Sequence, residues 1–401
     1  MAKNKPRIAI LCDPVGRQVG GSFISAFRFA RLLKERGNHV IFLAAKYPDA
    51  QSTGYHDGIK VYRFPSVKLP YTENQFYLGF PTKKRIKKIF AQEKIDILHV
   101  MIPTPAAIPA MSAAKEMGLG IVAHSHTQPE NVLLHLPRSL RSESLNEMFY
   151  HYMLWLYRKA DVVICPSKMS EELLKSYDPH LKTAVISNGV DLSKFRKTGF
   201  KRFLRKYQLS NKDKRILFVG RLHPEKSIHT LIEAMPYVLK HCGDVHLDIV
   251  GAGRLMPALK RLAKSLGLEE SITFFGKVPD EDLILAYNAA DIFVLPSLAE
   301  LEGMVVLEAM ACGNPIIIAD AKGSAARYFV KDNGDNGLLF RPGDSRNLAE
   351  QAVRILRDDK LREKMADNSY RAARKYDIQR SVSAIEKVYR GLLLLKDHAP
   401  S

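Results

Sequence analysis

Two glutamates eight residues apart, Glu300 and Glu308, lie in the stretch DIFVLPSLAELEGMVVLEAMACGNPIIIAD, Asp291 to Asp320. The stretch opens with a strand-like run, Ile292 to Leu295, and closes with a β-branched run, Ile316 to Ile318. Between them a polar loop holds Glu300, Glu302 and Gly303, and a short helical segment, Val305 to Cys312, stops at Gly313. A strand–loop–helix–strand unit aims the unpaired N–H groups of the helix start at whatever lies beyond the first strand's carboxyl end. Donors for an anion and two carboxylates able to hold hydroxyls then share one place, which suits a sugar nucleotide. Arg221 and Lys226, five residues apart beyond another strand and opening another helix, could clamp a pyrophosphate. His126, in AHSHT, also follows a strand; an imidazole there could hydrogen-bond a sugar or manage a hydroxyl's proton.

These residues need a scaffold, and 401 residues allow two or three domains with ample core. Hydrophobic residues at 46% and charged residues at 26% are the proportions of a soluble globular protein. The opening MAKNKPRIAIL runs from a charged leader into a short strand and is read as no signal peptide; no apolar run reaches the ~18 residues of a spanning helix. Cys12, Cys165, Cys242 and Cys312 make no CxxC and no metal spacing, so a reduced, cytosolic compartment is expected. The charge is uneven, with 61 basic against 42 acidic residues and a net +19. Such an excess suits a polyanion, either nucleic acid or an anionic membrane surface, or simply a basic soluble protein.

Taken in order, Arg7 to Cys12 reads as a buried strand, DPVGRQVGGS as a Gly-rich loop, and FISAFRFARLLKERG as an amphipathic helix before the strand Val40 to Ala44. The loop has neither a GxGxxG fingerprint nor a Walker lysine. Strand signals continue at Val61 to Phe64, Ile95 to Met101, Ile121 to His124, Val162 to Cys165 and Ala184 to Ser187, with helices at Thr82 to Gln92 and Ala107 to Glu116. Strands alternating with helices predict an α/β fold with a parallel sheet covered on both faces. The rhythm pauses in the basic stretch Asp191 to Lys214. It resumes with strands at Arg215 to Val219, Val245 to Val250 and Ile272 to Phe275, and helices at Ser227 to Lys240, Met256 to Gly267 and Glu281 to Ala289. An apolar-striped helix, Ser381 to Leu395, ends the pattern. Residues 1–193 are therefore expected as one Rossmann-like domain and 194–380 as a second. Residues 381–401 are expected to pack back on the first, with a ligand cleft between sheet ends.

Several blocks, in order, carry a family resemblance: ICPSKMSEELL, VISNGVDLSKF, FVGRLHPEKSIHTLIEA, IVGAG, FFGKVPDEDLILAYNAADIFVLPS and NGLLFRPGDSRNLA. The chain resembles the retaining glycosyltransferases of GT-B fold whose signature is an E-x7-E pair, the family 4 type. VYRFPSVKLPY, KIDILHVMIPTP and AHSHTQPE look most like the branch that glucosylates diacylglycerol or transfers sulfoquinovose to it. The resemblance implies two doubly wound domains facing across a cleft, an N-terminal one for the acceptor and a C-terminal one for the nucleotide sugar. It implies that Arg221 and Lys226 hold the donor's pyrophosphate, Glu308 its ribose and Glu300 a hydroxyl of the sugar. It also implies donor contacts from the backbone of Gly303, Met304 and Val305, from Val278, and from Gly20 and Gly21. His126 would sit beside the reacting sugar, whereas His99 and His124 are read as structural strand-end histidines. Fixed cations and helix N–H groups suit the negative charge that grows on a departing nucleoside diphosphate. No cofactor beyond the donor sugar, expected to be UDP-glucose, and no catalytic metal is implied. Asp280-Glu-Asp282, formally DxD, is read as N-terminal capping of a helix, and Glu302 as an exposed residue without a role. The chain departs from the family where relatives carry G-G-x-x-E: here AKGSAARYFV places Arg327 near that glutamate's position. Ser227 likewise replaces a common glycine.

The partners expected are thus a nucleotide sugar, a lipid acceptor and an anionic membrane surface, the enzyme being cytoplasmic and peripheral on the membrane's inner face. Basic residues gather at KKRIKK, Lys83 to Lys88, and at Lys194 to Lys206, interleaved there with Phe195, Phe200, Phe203 and Leu204. FYHYMLWLYRK adds an aromatic segment with Trp155, which could seat on lipid or belong to the core. No helix-turn-helix, zinc finger or aromatic RNA motif appears, so nucleic acid is not expected. A soluble or polymeric glycan acceptor is the alternative, and a non-catalytic sugar-nucleotide or nucleic-acid binder a further one.

Overall fold

A computed structural model of the chain describes residues 5–16, 20–69, 76–129, 142–210, 213–331 and 334–397. Two compact units emerge, Met1–Asn188 with Gln379–Ser401, and Gly189–Ile378. The division falls before the basic stretch, where the sequence placed it at 193.

The second unit holds six parallel strands in the order Ile272–Gly276, Val245–Val250, Lys214–Val219, Ile292–Leu295, Ile316–Ala319, Gly337–Phe340. Ile292–Leu295 and Ile316–Ala319 are buried throughout, as β-branched, fully apolar runs must be when helices cover both sheet faces. Counted within the unit, this is the 3-2-1-4-5-6 order of a doubly wound sheet. The chain builds outward from Lys214–Val219, then returns to start again on its other side. Loops after Lys214–Val219 and Ile292–Leu295 therefore part in opposite directions and open a crevice at the strands' carboxyl ends.

The first unit repeats the plan with eight strands: Thr183–Val185, Val162–Cys165, Gly120–His124, Ile97–Val100, Arg7–Leu11, His39–Ala45, Ile59–Phe64 and Thr53–His56. All pairings are parallel except the terminal hairpin of Thr53–His56 with Ile59–Phe64. Its order reverses between Arg7–Leu11 and Ile97–Val100. The last helix, Ile378–Asp397, buries Val382, Ile385 and Tyr389. Arg36 and Asn38 bond its Glu386, and His99 meets the Tyr389 hydroxyl at 2.6 Å.

Three expectations are corrected. Phe195, Phe203 and Leu204, read as apolar residues of a basic lipid-facing stretch, are core of the second unit, and only Phe200 is exposed. Lysines of the same stretch turn outward to acids: Lys194 to Asp280, Lys197 to Asp367 and Lys206 to Asp282. Asp280 and Asp282 are thus spent on ion pairs, and no side chain caps the helix Asp280–Ala289, whose N-cap is Pro279. Glu302, expected exposed, is 4% exposed. It lies in the tight turn leading into a left-handed glycine, near enough that its charge, after burial, helps raise the pKa of Tyr376.

Candidate active site

The loop after Lys214–Val219 carries Gly220, Arg221 and a single 3-10 turn, Pro224–Lys226, before the helix Ile228–Cys242. Its path is set by close backbone packing. Gly220 N–H donates to Val250 and Leu222 N–H to Ala252; a Cβ on Gly251 would lie 1.9 Å from the Gly220 carbonyl oxygen. With φ at 137°, Gly251 also has a backbone that side chains disfavour. Ser227 occupies the left-handed region at φ 48°, a conformation that glycine adopts more readily; its hydroxyl meets that of Thr230 at 3.0 Å.

The loop after Ile292–Leu295 lies alongside, since Leu298 N–H donates to the Glu225 carbonyl at 2.8 Å. Ala299–Glu300 then forms a two-residue parallel pairing with Gly323–Ser324, which fixes the direction of Glu300. As a result Lys226 Nζ bonds the Glu300 carboxylate, the two side chains being only 12% and 14% exposed. Residues 74 apart in sequence thus meet because the sheet order makes their strands neighbours. Arg221 stays more open, its guanidinium 3.4 Å from the buried carboxylate of Glu225.

Gly303 starts the helix Met304–Ala311 at φ 96° and lends it no side-chain cap. A Cβ on Gly303 would come 2.9 Å from that of Ala326, so the turn demands glycine on conformational and steric grounds. Met304 and Val305 supply the first N–H groups, the positive end of the helix dipole. Glu308 lies in the helix's second turn, 6% exposed, and accepts a hydrogen bond from Tyr287 at 3.1 Å. Val278 follows the strand Ile272–Gly276 and packs partly buried against the core. Arg327, near the position where the resemblance implies a glutamate, is paired with Asp320 at 2.5 Å.

In the first unit, Gly20 and Gly21 begin the helix Gly20–Glu35, while residues 17–19 of their loop lie outside the described residues. His126 follows Gly120–His124 and stacks on His124, ring centroids 4.1 Å apart; His99 stacks on the same ring at 5.5 Å. Phe29 covers His124 as well. Burial holds the column neutral, helped at His99 and His124 by the neighbouring imidazoles: His99 and His126 are pulled down to about 3 and His124 well below its ordinary value. Histidines whose pKa falls on folding stabilise fully above the unfolded value near 6.5 and lose that contribution as pH drops toward the folded value. Each histidine held neutral should cost about 2 kcal/mol at pH 5 relative to pH 7. Urea unfolding at both pH values should show that loss, and His124→Phe, which keeps a ring but removes a proton site, should lessen it. An identical loss in the variant would refute the assignment.

Sequence reasoning did not single out Glu225 or Asp13, which follow the first strands of the two sheets, or Tyr287, which bonds Glu308. Glu225 stood within the quoted E-K block and Asp13 directly after a strand; both carried a signal that was passed over.

Residues 200–372 match the family described as glycosyl transferases group 1, and residues 19–194 that described as glycosyltransferase family 4. The chain is accordingly a glycosyltransferase of GT-B fold, a hexosyltransferase whose family 4 domain precedes a group 1 domain. It is 27% identical to alpha-monoglucosyldiacylglycerol synthase of Streptococcus pneumoniae, over 78% of this chain and 70% of that protein. Identity is 28% with sulfoquinovosyl transferase SQD2 of Arabidopsis thaliana, over 95% of this chain and 73% of that one. It is 26% with N-acetyl-alpha-D-glucosaminyl L-malate synthase of Bacillus anthracis, over 97% and 98%. Among solved structures, sucrose-phosphate synthase from Thermosynechococcus elongatus superposes with a TM-score of 0.78 at 22% identity, covering 98% of this chain and all of that one. Anabaena HepE in complex with UDP-glucose gives 0.73 at 22%, covering 96% and 99%.

Proposed function

We propose that this enzyme transfers glucose from UDP-glucose to a lipid hydroxyl such as that of diacylglycerol, with retention at the anomeric carbon. The observation that carries the donor half is the meeting of Lys226 and Glu300 at the crevice where the second sheet's order reverses. Arg221 and the uncapped helix start at Gly303 belong to the same sheet end. As the bond from sugar to diphosphate breaks, negative charge grows on the leaving oxygen. Arg221, Lys226 and the N–H groups of Gly303, Met304 and Val305 meet that charge in a low-dielectric place, and the reading calls on no metal. Glu300 holds a hydroxyl of the sugar and Glu308 the ribose, while Val278 lines the donor through its backbone.

The lipid acceptor is supported by likeness to a synthase of glucosyldiacylglycerol and to a sulfoquinovosyl transferase, and UDP-glucose by its presence in a fold neighbour. A seat on the inner face of an anionic membrane is supported by two surfaces of the first unit. The helix Lys83–Glu93 buries Ile86, Ile89 and Phe90 and leaves Lys84 and Lys88 exposed. On Glu143–Tyr157, Trp155 is 44% exposed with Lys159 over its ring at 4.2 Å. Among the described residues no helix is long and apolar enough to cross a membrane. A soluble acceptor is the second reading, favoured by the near full-length likeness to a malate-glycosylating enzyme.

Incubation with a panel of sugar nucleotides, total lipid extract and small hydroxy acids, followed by mass analysis, separates the two. A hexosyl-diacylglycerol formed from UDP-glucose is expected; a glycosylated soluble product with unchanged lipids would replace the first reading with the second.

A further inference from the structure

The sheet of the second unit has two edges, and Gly337–Phe340 is one of them. Beside it lies a cavity of about 570 Å³, lined from that strand, from the 3-10 helix Ala325–Phe329, and from the helices Ser345–Leu356 and Asp359–Ala373. The strand Ile316–Ala319 separates this edge from Ile292–Leu295, and neither Arg221, Lys226, Glu300 nor Glu308 lines the cavity. It is therefore a different place from the donor crevice. Its volume falls within the ~300–1,000 Å³ typical of small-molecule sites.

Part of the lining is apolar, with Val330, Leu338 and Met365 buried. Tyr328 lines it too and is 65% exposed, leaving a ring able to cover the flat or apolar part of a ligand. The charge on the walls is mostly of one sign: Arg327, Lys331, Arg354 and Lys364 against Asp335. Arg327 is matched by Asp320. Lys331, Arg354 and Lys364 come from three separate elements, and among the described residues their side chains have no ion-pair or hydrogen-bond partner. Other cations on the same two helices are matched, Arg346 by Glu350 at 3.1 Å and Arg362 by Asp359 at 2.9 Å. Like charges gathered on one concavity repel each other, which folding by itself does not reward, and their summed field favours an anion. A guanidinium fork and two ammonium groups suit the oxygens of a phosphate.

We propose that this cavity binds a small organic phosphate, with Lys331, Arg354 and Lys364 taking the phosphate oxygens and Tyr328 and Leu338 meeting the apolar part of its body. The inference depends on neither the donor nor the acceptor reading. A soluble phosphate ester and a phospholipid headgroup both carry this chemistry, and the test separates them.

Phenyl phosphate, a phosphate joined to one ring, is the soluble probe, titrated calorimetrically into the full chain with UDP present in excess to fill the donor crevice. Wild type should bind it more tightly than inorganic phosphate. The double variant Arg354→Gln with Lys364→Gln should bind it about 10-fold more weakly, the scale of losing charge-assisted hydrogen bonds. The variant's thermal midpoint should stay level or rise, because both side chains are exposed and a like-charge repulsion is removed. A wild type that ignores phenyl phosphate, yet binds vesicles of phosphatidylglycerol in phosphatidylcholine more tightly than the variant does, would identify the phosphate as a lipid headgroup and support the site. Equal binding of both probes by wild type and variant, or binding of neither, would overturn it. So would a lowered midpoint in the variant, which would make Arg354 and Lys364 supports of the fold. Should UDP itself fail to bind, the donor reading falls, while the comparison of wild type with variant still reports on the cavity.

Discussion

Lys226→Ala and Glu300→Ala are each expected to lower transfer by about 10²–10³-fold, the scale of losing a group that meets transition-state charge. Lys226 gives the crevice a cation that does not depend on the helix dipole, and its position is set by the Glu300 carboxylate. In the proposed chemistry, removing Lys226 leaves the diphosphate with Arg221 and backbone donors alone, and removing Glu300 frees the lysine and deletes a partner for the sugar. Because each residue holds the other in place, the double variant should lose far less than the product of the single losses. Turnover with UDP-glucose measures the effect, and a thermal midpoint within a few degrees of wild type shows that the fold survives. Wild-type turnover in either single variant would remove both residues from the proposed chemistry.

The largest effect on stability is expected at Asp248, in the strand Val245–Val250. Arg215 Nε and Nη2 grip both its oxygens, at 2.7 and 2.6 Å, the two side chains being buried to within a few per cent. A guanidinium and a carboxylate matched in this planar, two-bond fashion satisfy each other in the interior. Deleting one leaves the other charged and unsolvated. Asp248→Ala should therefore cost about 3–5 kcal/mol in urea unfolding, against total stabilities that are typically about 5–15 kcal/mol. The double change Arg215→Met with Asp248→Leu should recover most of that loss, because it removes both desolvated charges and fills similar volume. If the single and double variants unfold at the same urea concentration, the pair is not what the strand Lys214–Val219 depends on. The pair lies along these strands rather than in the loops beyond their carboxyl ends, so donor affinity in any folded variant should be unaffected.

Much of this protein was legible in its sequence because its elements announce themselves locally. Runs such as Ile292 to Leu295 and Ile316 to Ile318 are short, β-branched and bounded by polar turns. They became strands within a residue of the expected limits. Helix ends followed suit, as with Ala107–Glu116 and Asp280–Ala289. Elements with weaker local signals were passed over: the hairpin strand Thr53–His56, the pairing of Ser66–Lys68 with Tyr77–Gly79, and the edge strand Gly337–Phe340. The helices Ser345–Leu356 and Asp359–Ala373 went unread beyond the last quoted block.

What the sequence determined by itself was the alternation of strand and helix in two rounds, the ordered family blocks and the residue types of the proposed donor site. Spacing along the chain carries that much, since periodicity and turn chemistry act over a few residues. Tertiary structure alone decided which distant loops are neighbours. Lys226 meets Glu300 only because the sheet order places their strands side by side, and no local pattern encodes that pairing. It also decided which apolar residues face inward. Phe195 and Phe203 looked like membrane contacts because a protein core and a bilayer select the same side chains; only the packed fold shows which of the two environments they occupy.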